Sequence, residues 1–383
     1  MKKWIYLIVL TSFAMACSSG QRALEKGDYI SAIEKAASRL SNDSDNKKAK
    51  RVIKEGYPLA IQYYQEEIDM ALSGNDPLKW SNTLDVMYRV NHLSEEIRRI
   101  PAARKLVSSL KIYTSELEDV KKRAAEEHYQ SGLQLLERGS REDAREAYFQ
   151  FRQVDDLIPS YKNVVSKIDE AKELATLNVI LETIPLPSRR YQLSSEFFYE
   201  QLINRMKQRF PNSGFVSFYT PDEAEDSGLK YPDMVVRMEF YDFFIGKPLH
   251  FENVEKLSRV VERNVEVKVS RDSTRIEKRQ ERLNGKIKII TDEVSSQGVL
   301  NVRIEEFQTQ RTILDEQVPG EFVWRNQYGI FVGDEGVLTD QQIYILNNRA
   351  VPPPAPQDLF VEFTQPIFEQ LTSRLTNYFK KYN

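Results

Sequence analysis

The apolar pattern of the chain changes near Leu174, and this change limits the folds that the sequence can form. From about Ala23 to Thr176, apolar residues recur at three- and four-residue spacing among Ala, Leu, Glu, Lys and Arg, which is typical of amphipathic helices. After Leu174, short alternating or apolar segments bounded by Pro, Gly and Ser indicate strands. The sequence therefore predicts an α+β protein. We expect an all-α domain over residues 17–175 and a mixed α/β sandwich domain over residues 176–350.

Two segments of the helical half are similar to each other. Residues 27–40 and 139–159 each begin with a Gly turn, which is followed by a small residue that lets two helices approach closely. Both segments resemble the second half of a tetratricopeptide unit, and a degenerate middle unit falls at residues 74–93. The residues predicted to pack these repeats are Gly27, Ala32, Gly132, Gly139, Ala144 and Tyr148.

The tetratricopeptide resemblance implies helix pairs that stack around a continuous core and leave a concave face for peptides or proteins. An irregular helical bundle is the alternative. We also expect a helix break at residues 56–58, because Pro58 cannot donate a helical hydrogen bond.

The first residues have the composition of a secretory signal. Two lysines precede an apolar run from Trp4 to Leu10, which is too short to span a bilayer, and small residues follow it. Cys17 comes directly after Ala14-Met15-Ala16. This arrangement resembles the bacterial lipobox, although Ala14 stands where that motif usually has Leu. The resemblance implies a lipoprotein signal over residues 1–16 and a Cys17 that carries acyl chains such as palmitate. An ordinary signal peptide that contains a cysteine is the alternative.

Cys17 is the one cysteine of the chain. An intrachain disulfide, a cysteine metal cluster and a CxxC redox pair are therefore excluded. Ser18 is not the aspartate that commonly retains lipoproteins in the inner membrane, so we expect an anchor in the outer membrane, facing the periplasm of a Gram-negative-type envelope. The inner membrane and the cell surface are the alternative locations.

In the second half, strands are expected at residues 177–184, 214–219, 234–241, 265–269, 312–318 and 321–324, and a hairpin at residues 285–305 with its turn at 294–298. A helix capped by Ser194 or Ser195 should run to about Arg209. Residues 222–226 are expected to form a solvated acidic loop, and residues 271–282 an exposed connection.

Three features carry a second resemblance: the strand at Val179-Ile180-Leu181 before a capped helix, the strand entry at residues 231–236, and the strand succession from residue 299 to Trp324. They resemble a group of envelope lipoprotein domains that includes the curli-secretion lipoprotein, the lipoprotein activators of penicillin-binding proteins and the N-terminal domain of TolB. Arg237 and Met238 stand where this group often has Gly. The resemblance implies a role in envelope assembly, secretion or the regulation of cell-wall synthesis. A plain α+β sandwich is the alternative.

The C-terminal residues indicate a Pro-rich spacer at 351–357 and a helix over 358–383 that packs on the α/β domain. Pro366 should kink this helix or mark a late start.

No catalytic residue, metal site or cofactor is predicted. The histidines His92, His128 and His250 lack ligand spacing, and the sequence has neither a Gly-rich phosphate loop nor a GxSxG motif. A net charge of −3 gives no indication of a nucleic-acid partner. The chain is therefore expected not to be an enzyme. An envelope hydrolase with an unrecognised site in the C-terminal domain is the alternative.

A run of aromatic residues points to a partner protein. Four aromatics in five positions leave at least one exposed on a strand, so Phe240, Tyr241, Phe243 and Phe244 are candidate contacts. The sequence thus favours a non-enzymatic, lipid-anchored periplasmic scaffold that binds envelope proteins through its helical repeats. Besides a hydrolase, an oligomeric secretion-channel component stays open, in which residues 285–305 or 271–283 would rearrange.

Overall fold

A computed structural model describes residues 20–185, 189–270 and 273–383. The predicted signal and the predicted lipidation site Cys17 lie outside the described residues. The chain divides into two compact units, one ending at Ala175 and one beginning at Thr176. Helices and a mixed sheet occur together, so the predicted α+β class is confirmed.

The described part of the first unit is helical. Its helices are α1 (Gln21–Glu25), α2 (Tyr29–Asn42), α3 (Lys47–Ser73), α4 (Lys79–Arg99), α5 (Pro101–Arg104), α6 (Ser115–Arg138), α7 (Arg141–Leu157) and α8 (Val164–Ala175). Consecutive long helices pack on each other, and α4 packs on α6. Asp28 accepts a hydrogen bond from the backbone N–H of Ser31 and so caps α2, and Ser140 caps α7 in the same way through Asp143.

The predicted helix break at residues 56–58 is wrong. Helix α3 runs without interruption from Lys47 to Ser73 and contains Pro58. Proline removes one backbone hydrogen bond, but α3 buries Ile53 and Tyr57 on one side of Pro58 and Ala60 and Tyr64 on the other. The burial of these four side chains outweighs the lost hydrogen bond.

The second unit is built on a six-stranded sheet. Its strands are β1 (Leu177–Leu181), β2 (Val216–Tyr219), β3 (Met234–Ile245), β4 (Leu249–Ser270), β5 (Ser273–Glu306) and β6 (Arg311–Gly333). Strand β1 pairs in parallel with β2 and β3, whereas β5 pairs antiparallel with β3, β4 and β6. Strands β3 and β4 follow one another along the same side of β5, and β6 lies on its other side.

The predicted hairpin at residues 285–305 is wrong, since these residues form part of one continuous strand, β5. Ser296 holds the supposed turn extended, because its hydroxyl donates to the carbonyl oxygens of Phe322 and Leu359 at 3.3 Å. The expected exposed connection 271–282 is also corrected, as β5 begins at Ser273. Likewise, residues 222–226 belong to a short helix, α10 (Pro221–Asp226), with a capping box from Thr220 and Glu223.

Two helices cover one face of the sheet, α9 (Gln192–Arg209) and α12 (Pro356–Phe379). Their core side chains include Phe198, Leu202, Met206, Phe360, Phe363, Ile367 and Leu371. The predicted serine cap of α9 is wrong: the helix begins after Tyr191, and Ser195 donates instead to the carbonyl of Ile184 at 3.3 Å. Helix α12 contains Pro366 and does not start there.

The pair of β4 and β5 continues beyond the rest of the sheet. Strand β6 pairs with β5 only from Gly285 onward. A short turn at Glu335–Val337 and helix α11 (Asp340–Asn347) cover the adjoining part, where Leu283 and Val337 share a small cluster. We call residues 262–270 and 273–280 the distal arm; at about 3.3 Å per residue it extends about 30 Å as two paired strands. None of the helices in the described ranges has the length and apolar composition of a membrane span.

Candidate functional site

The aromatic run of β3 contains a bulge that decides which rings are exposed. Phe240 pairs with Leu300 and Asp242 with Val299, so Tyr241 is an extra residue between two rungs. Such a bulge shifts the alternation of side chains by one position. As a result, Phe240 and Phe243 both face helices α9 and α12 although they are three residues apart.

Phe240 and Phe243 belong to an aromatic cluster in the core. Phe240 is only 6% exposed, and its ring lies 5.4 Å from that of Phe360. Phe243 is half-buried and stacks on Phe363 at 6.4 Å, and Tyr191 meets it edge-on at 5.4 Å. These two rings contribute mainly to packing, and only the edge of Phe243 reaches the surface of the cleft described below.

Tyr241 and Phe244 face solvent within the described part of the second unit. Tyr241 is 75% exposed and Phe244 is 55% exposed. Two large exposed rings within four residues of one strand indicate a place of contact. We call Tyr241 and Phe244 the aromatic surface.

A cleft of about 560 Å³ adjoins Phe244. Strands β3, β5 and β6 and helix α12 contribute its lining, which is Asp242, Phe243, Phe244, Gln297, Gly298, Val299, Pro319, Gly320, Glu321, Pro366 and Gln370. Gln370 fixes the helix to the sheet edge, because its Nε2 donates to the carbonyls of Pro319 and Pro366, each at 3.1 Å.

Two paired glycines bring α12 close to the sheet at this cleft. Gly298 and Gly320 are register partners on β5 and β6. A Cβ on Gly320 would lie 2.3 Å from the carbonyl oxygen of Phe363, and one on Gly298 would lie 2.6 Å from the Phe363 ring. Glycine is therefore required at both positions for the helix to approach this closely.

The cleft carries negative charge. Asp242 and Glu321 line it, and neither makes an ion pair with another described residue. Asp242 and Glu321 lie two strands apart across the sheet and are offset by two residues along the strands, which places their Cα atoms about 12 Å from each other. At that separation they do not form a proton-sharing acid–base pair, and each offers a separate contact to a cation.

The sequence reveals only part of this site. Asp242 stands within the aromatic run, whereas Glu321 and Gln370 carry no local signal because their strand and helix are brought together by the fold. Sequence reasoning also missed an ion-pair network on the same sheet. Glu305 is nearly buried and binds Arg237 at 2.8 Å, and Arg237 also binds Glu182 at 3.1 Å.

The residues predicted to pack the repeats lie at helix turns and contacts of the first unit. Gly139 ends α6 with φ +75°, a left-handed conformation that favours glycine. Gly132 faces Phe151, and an added Cβ would lie 2.7 Å from that ring. Ala144 is buried in α7, and Tyr148 packs against the apolar cluster that contains Phe151. Gly27 (φ +76°) and the buried Ala32 occupy the corresponding places at α2.

The three histidines have separate partners. His92 contacts Glu34 at 2.9 Å, and His128 contacts Ser81 and Gln150 at 2.9 and 2.6 Å. His250 lies in β4, where its Nδ1 contacts Asp292 at 2.6 Å. Over the described ranges, no group of three or more His, Cys, Asp or Glu residues is arranged to hold a metal ion.

No family model matches this sequence, and comparison with curated proteins gives no match. Among solved structures, the chain is similar to a crystal structure described as a neuraminyllactose-binding hemagglutinin homolog from Helicobacter pylori. The identity is 14%, the similarity covers 53% of this chain and 88% of that chain, and the TM-score is 0.26. A likeness at this TM-score supports no argument about fold or ligand.

Proposed function

We propose that this chain is a non-enzymatic, lipid-anchored scaffold on the periplasmic face of the outer membrane. In this role it binds envelope proteins and brings them together in assembly, secretion or cell-wall synthesis. One observation carries the proposal: an exposed aromatic surface adjoins an acidic cleft in the second unit.

The chemistry of that site indicates the kind of segment it would bind. Phe244 and Val299 offer apolar contact, and Asp242 and Glu321 offer unpaired negative charge. A basic side chain gains from the carboxylates and from the exposed rings of Tyr241 and Phe244, which attract cations through their faces. The proposed partner segment therefore combines Lys or Arg with apolar residues.

The first unit supplies a second part of the proposal, tetratricopeptide-like repeats that bind proteins. Its support is the packing of Gly132 on Phe151 between α6 and α7, together with the left-handed glycine turns at Gly27 and Gly139. The resemblance of the second unit to the envelope lipoprotein group is likewise a proposal, and its support is the sequence pattern quoted above.

The anchor is proposed from sequence. Cys17 follows small residues at the end of a short apolar segment. Several acyl chains, at about 0.8 kcal/mol per buried methylene, would hold the chain stably at a membrane.

The scaffold proposal is tested by crosslinking the intact chain in its own membranes and isolating its partners. A Tyr241→Ser/Phe244→Ser variant should lose the proteins captured by the unaltered chain. A matched variant, Tyr231→Ser/Phe251→Ser, removes two other exposed aromatics and should keep them. Cys17→Ala should reduce capture by releasing the chain from the membrane. Equal capture by both aromatic variants would overturn the assignment of the site, and no captured protein at all would overturn the scaffold itself.

An oligomeric secretion component is a second candidate, and the distal arm favours it. An isolated pair of strands is marginally stable in water, and both outer edges of this arm lack a third strand within the described residues. Pairing between arms of adjacent copies would supply the missing neighbours. Analytical ultracentrifugation tests this: an oligomer that is lost when residues 262–280 are replaced by Asn-Gly supports it, and a monomer at high concentration contradicts it.

A further inference from the structure

The two faces of the β4 and β5 ladder carry different charges in the distal arm and beside it. Residues directly opposite each other in an antiparallel pair point to the same face, so the register assigns each side chain to a face. We call one of them the arginine face; its charged residues are Arg259, Arg263, Arg275, Arg279, Glu277 and Glu281. Four arginines against two glutamates leave this face with a net charge of +2.

The opposite face of the same stretch is electrically balanced. Its charged residues are Glu262, Glu266, Lys278 and Arg282, two of each sign. Lys278 and Glu262 also pair with each other across the strands, at 3.6 Å. An anionic partner that touches this part of the ladder is therefore attracted more strongly to the arginine face than to the face behind it.

Two arginines of the arginine face are directly opposed. Arg263 and Arg279 are register partners on β4 and β5. Like charges at directly opposite positions destabilise a pair of strands. Each guanidinium has one acid within reach, Glu281 at 3.2 Å from Arg263 and Glu277 at 3.9 Å from Arg279. Both ion pairs are exposed, so they contribute little and exchange readily for another anion.

The remaining arginines of this face alternate with valines or lie opposite one. Arg259 and Arg275 are exposed, and neither makes an ion pair with another residue in the described ranges. Val261, Val265 and Val267 are half-buried on the same face of β4. At about 3.3 Å per residue the face is about 26 Å long, and it is only two strands wide. Such a ribbon is too narrow to enclose a small molecule and fits a flat surface instead.

We infer that the arginine face binds the phosphate headgroups of an anionic lipid bilayer. A guanidinium donates parallel hydrogen bonds to phosphate oxygens, and Arg259 and Arg275 are available for this. The valines between the arginines then contact the boundary of headgroups and acyl chains, since interleaved basic and apolar residues are typical of elements that lie in a membrane interface. The inference goes beyond the proposed scaffold and does not depend on the anchor.

The test uses the full chain with Cys17→Ser, which has no thiol to acylate. Vesicles contain phosphatidylglycerol and phosphatidylcholine in equal parts and carry a nitroxide on the lipid headgroup. Val265→Cys on the arginine face, or Asn264→Cys on the opposite face, supplies the single thiol for a fluorophore. Neighbouring residues of a strand point to opposite faces, so the lipid should quench the probe at residue 265 more strongly than the probe at residue 264.

Charge reversal on either face gives a matched pair of variants. Arg275→Glu/Arg279→Glu should raise the lipid concentration for half-maximal quenching at residue 265 by about tenfold, because each basic residue near an anionic leaflet adds to binding and the effects of two multiply. Lys278→Glu/Arg282→Glu changes the net charge equally but on the opposite face, and should raise that concentration by less than about threefold. Both variants should melt at the same temperature, because the four side chains are exposed.

Equal quenching at residues 264 and 265, or equal effects of the two charge variants, would overturn the inference. Tighter binding of the labelled chain to polyglutamate or to duplex DNA than to the vesicles would also overturn it, by assigning the face to another class of partner. The outcome is separable from the scaffold proposal. Tyr241→Ser/Phe244→Ser should leave the quenching unchanged, because these residues lie outside the arginine face. Quenching without captured envelope proteins would overturn the scaffold and keep the arginine face.

Discussion

Strand β5 pairs antiparallel with β3 at one end and with β4 along the rest of its length. The two ends of this long ladder differ in how they are stabilised. At the root, residues 234–245 and 296–306 lie under α9 and α12 and carry aromatic and branched side chains inward. In the distal arm, charged side chains are frequent on both strands and pair across them, as in Lys278 with Glu262 at 3.6 Å. The comparison shows that backbone pairing alone extends a sheet, whereas the part that helices cover contributes most of the free energy of unfolding.

The largest expected difference between root and arm comes from deleting a core ring. Phe360→Ala should lower the free energy of unfolding of the second unit by about 4 kcal/mol, because the ring is fully buried among Phe240, Phe243 and Phe363. Ile276→Ala in the distal arm, where the side chain is 64% exposed, should change it by less than about 0.5 kcal/mol. Urea-induced unfolding, monitored by hydrogen exchange of the amides in the second unit, measures both changes in free energy. Similar losses would contradict the comparison.

Adding side-chain volume should also change the free energy of unfolding by different amounts at the root and in the distal arm. Gly320→Val places a side chain against the Phe363 carbonyl and should destabilise the unit by about 2–3 kcal/mol. Asn264→Val on the exposed distal arm is the matched change and should stay within about 0.5 kcal/mol. If Gly320→Val were neutral in the same unfolding measurement, α12 would not need the glycine pair for its close approach.

Removing the cation of an ion pair should show a smaller difference in stability between the root and the distal arm. Arg237→Met leaves the nearly buried Glu305 without its closest cation and should cost about 1–3 kcal/mol. Arg263→Met breaks an exposed pair with Glu281 and should cost at most about 1 kcal/mol. A double-mutant cycle for each pair isolates the interaction free energy. An equal value for the two pairs would show that burial of Glu305 has no effect.

Removing the distal arm should leave the root intact. Asn-Gly in place of residues 262–280 closes the hairpin between the paired residues Val261 and Glu281 with a favoured two-residue turn. We expect the melting temperature to change by less than about 2 °C, because the arm buries little apolar surface. Differential scanning calorimetry gives this value, and a large drop would mean that the arm supports the core.

The smallest effect concerns His250 on β4. Its hydrogen bond to Asp292, and the charge of Glu252 nearby, raise the pKa of His250 above its usual 6.5. A raised folded pKa means that this contribution to stability is present below about pH 6.5 and is lost as the pH rises through the folded value. NMR titration of the imidazole should show the raised pKa, and Asp292→Asn should lower it. An unchanged pKa in that variant would exclude Asp292 as the cause.

Several elements of the fold follow from local pattern. The stripe of Phe360, Phe363, Ile367 and Leu371 predicts the buried face of α12, and these residues pack on the sheet. The aromatic run of β3 predicts at least one outward ring, and Tyr241 and Phe244 are exposed. For α12 a period of 3.6 residues suffices, because each side of the helix meets a single environment. For β3 the run predicts only that some ring faces outward, and the bulge at Tyr241 decides which rings do.

Other elements could not be predicted, because long-range contacts reverse the local signal. Residues 294–298 have the composition of a turn, yet Gly298 serves the approach of α12 and Ser296 bonds to Phe322 and Leu359. Pro319 and Gly320 likewise resemble a strand break, but they lie within β6 and line the cleft. Glycine, serine and proline mark turns only when no neighbouring element requires them.

The sequence by itself determined the two kinds of secondary structure, the change between them near Leu174, and the composition from which the anchor at Cys17 is proposed. These depend on periodicity and composition, which are local properties. Only the tertiary structure decided that Asp242, Glu321 and Gln370 share one cleft, and that Arg263 and Arg279 stand opposite each other on one face of a ladder. Such sites depend on contacts between residues distant in sequence, and the position of those contacts is set by packing.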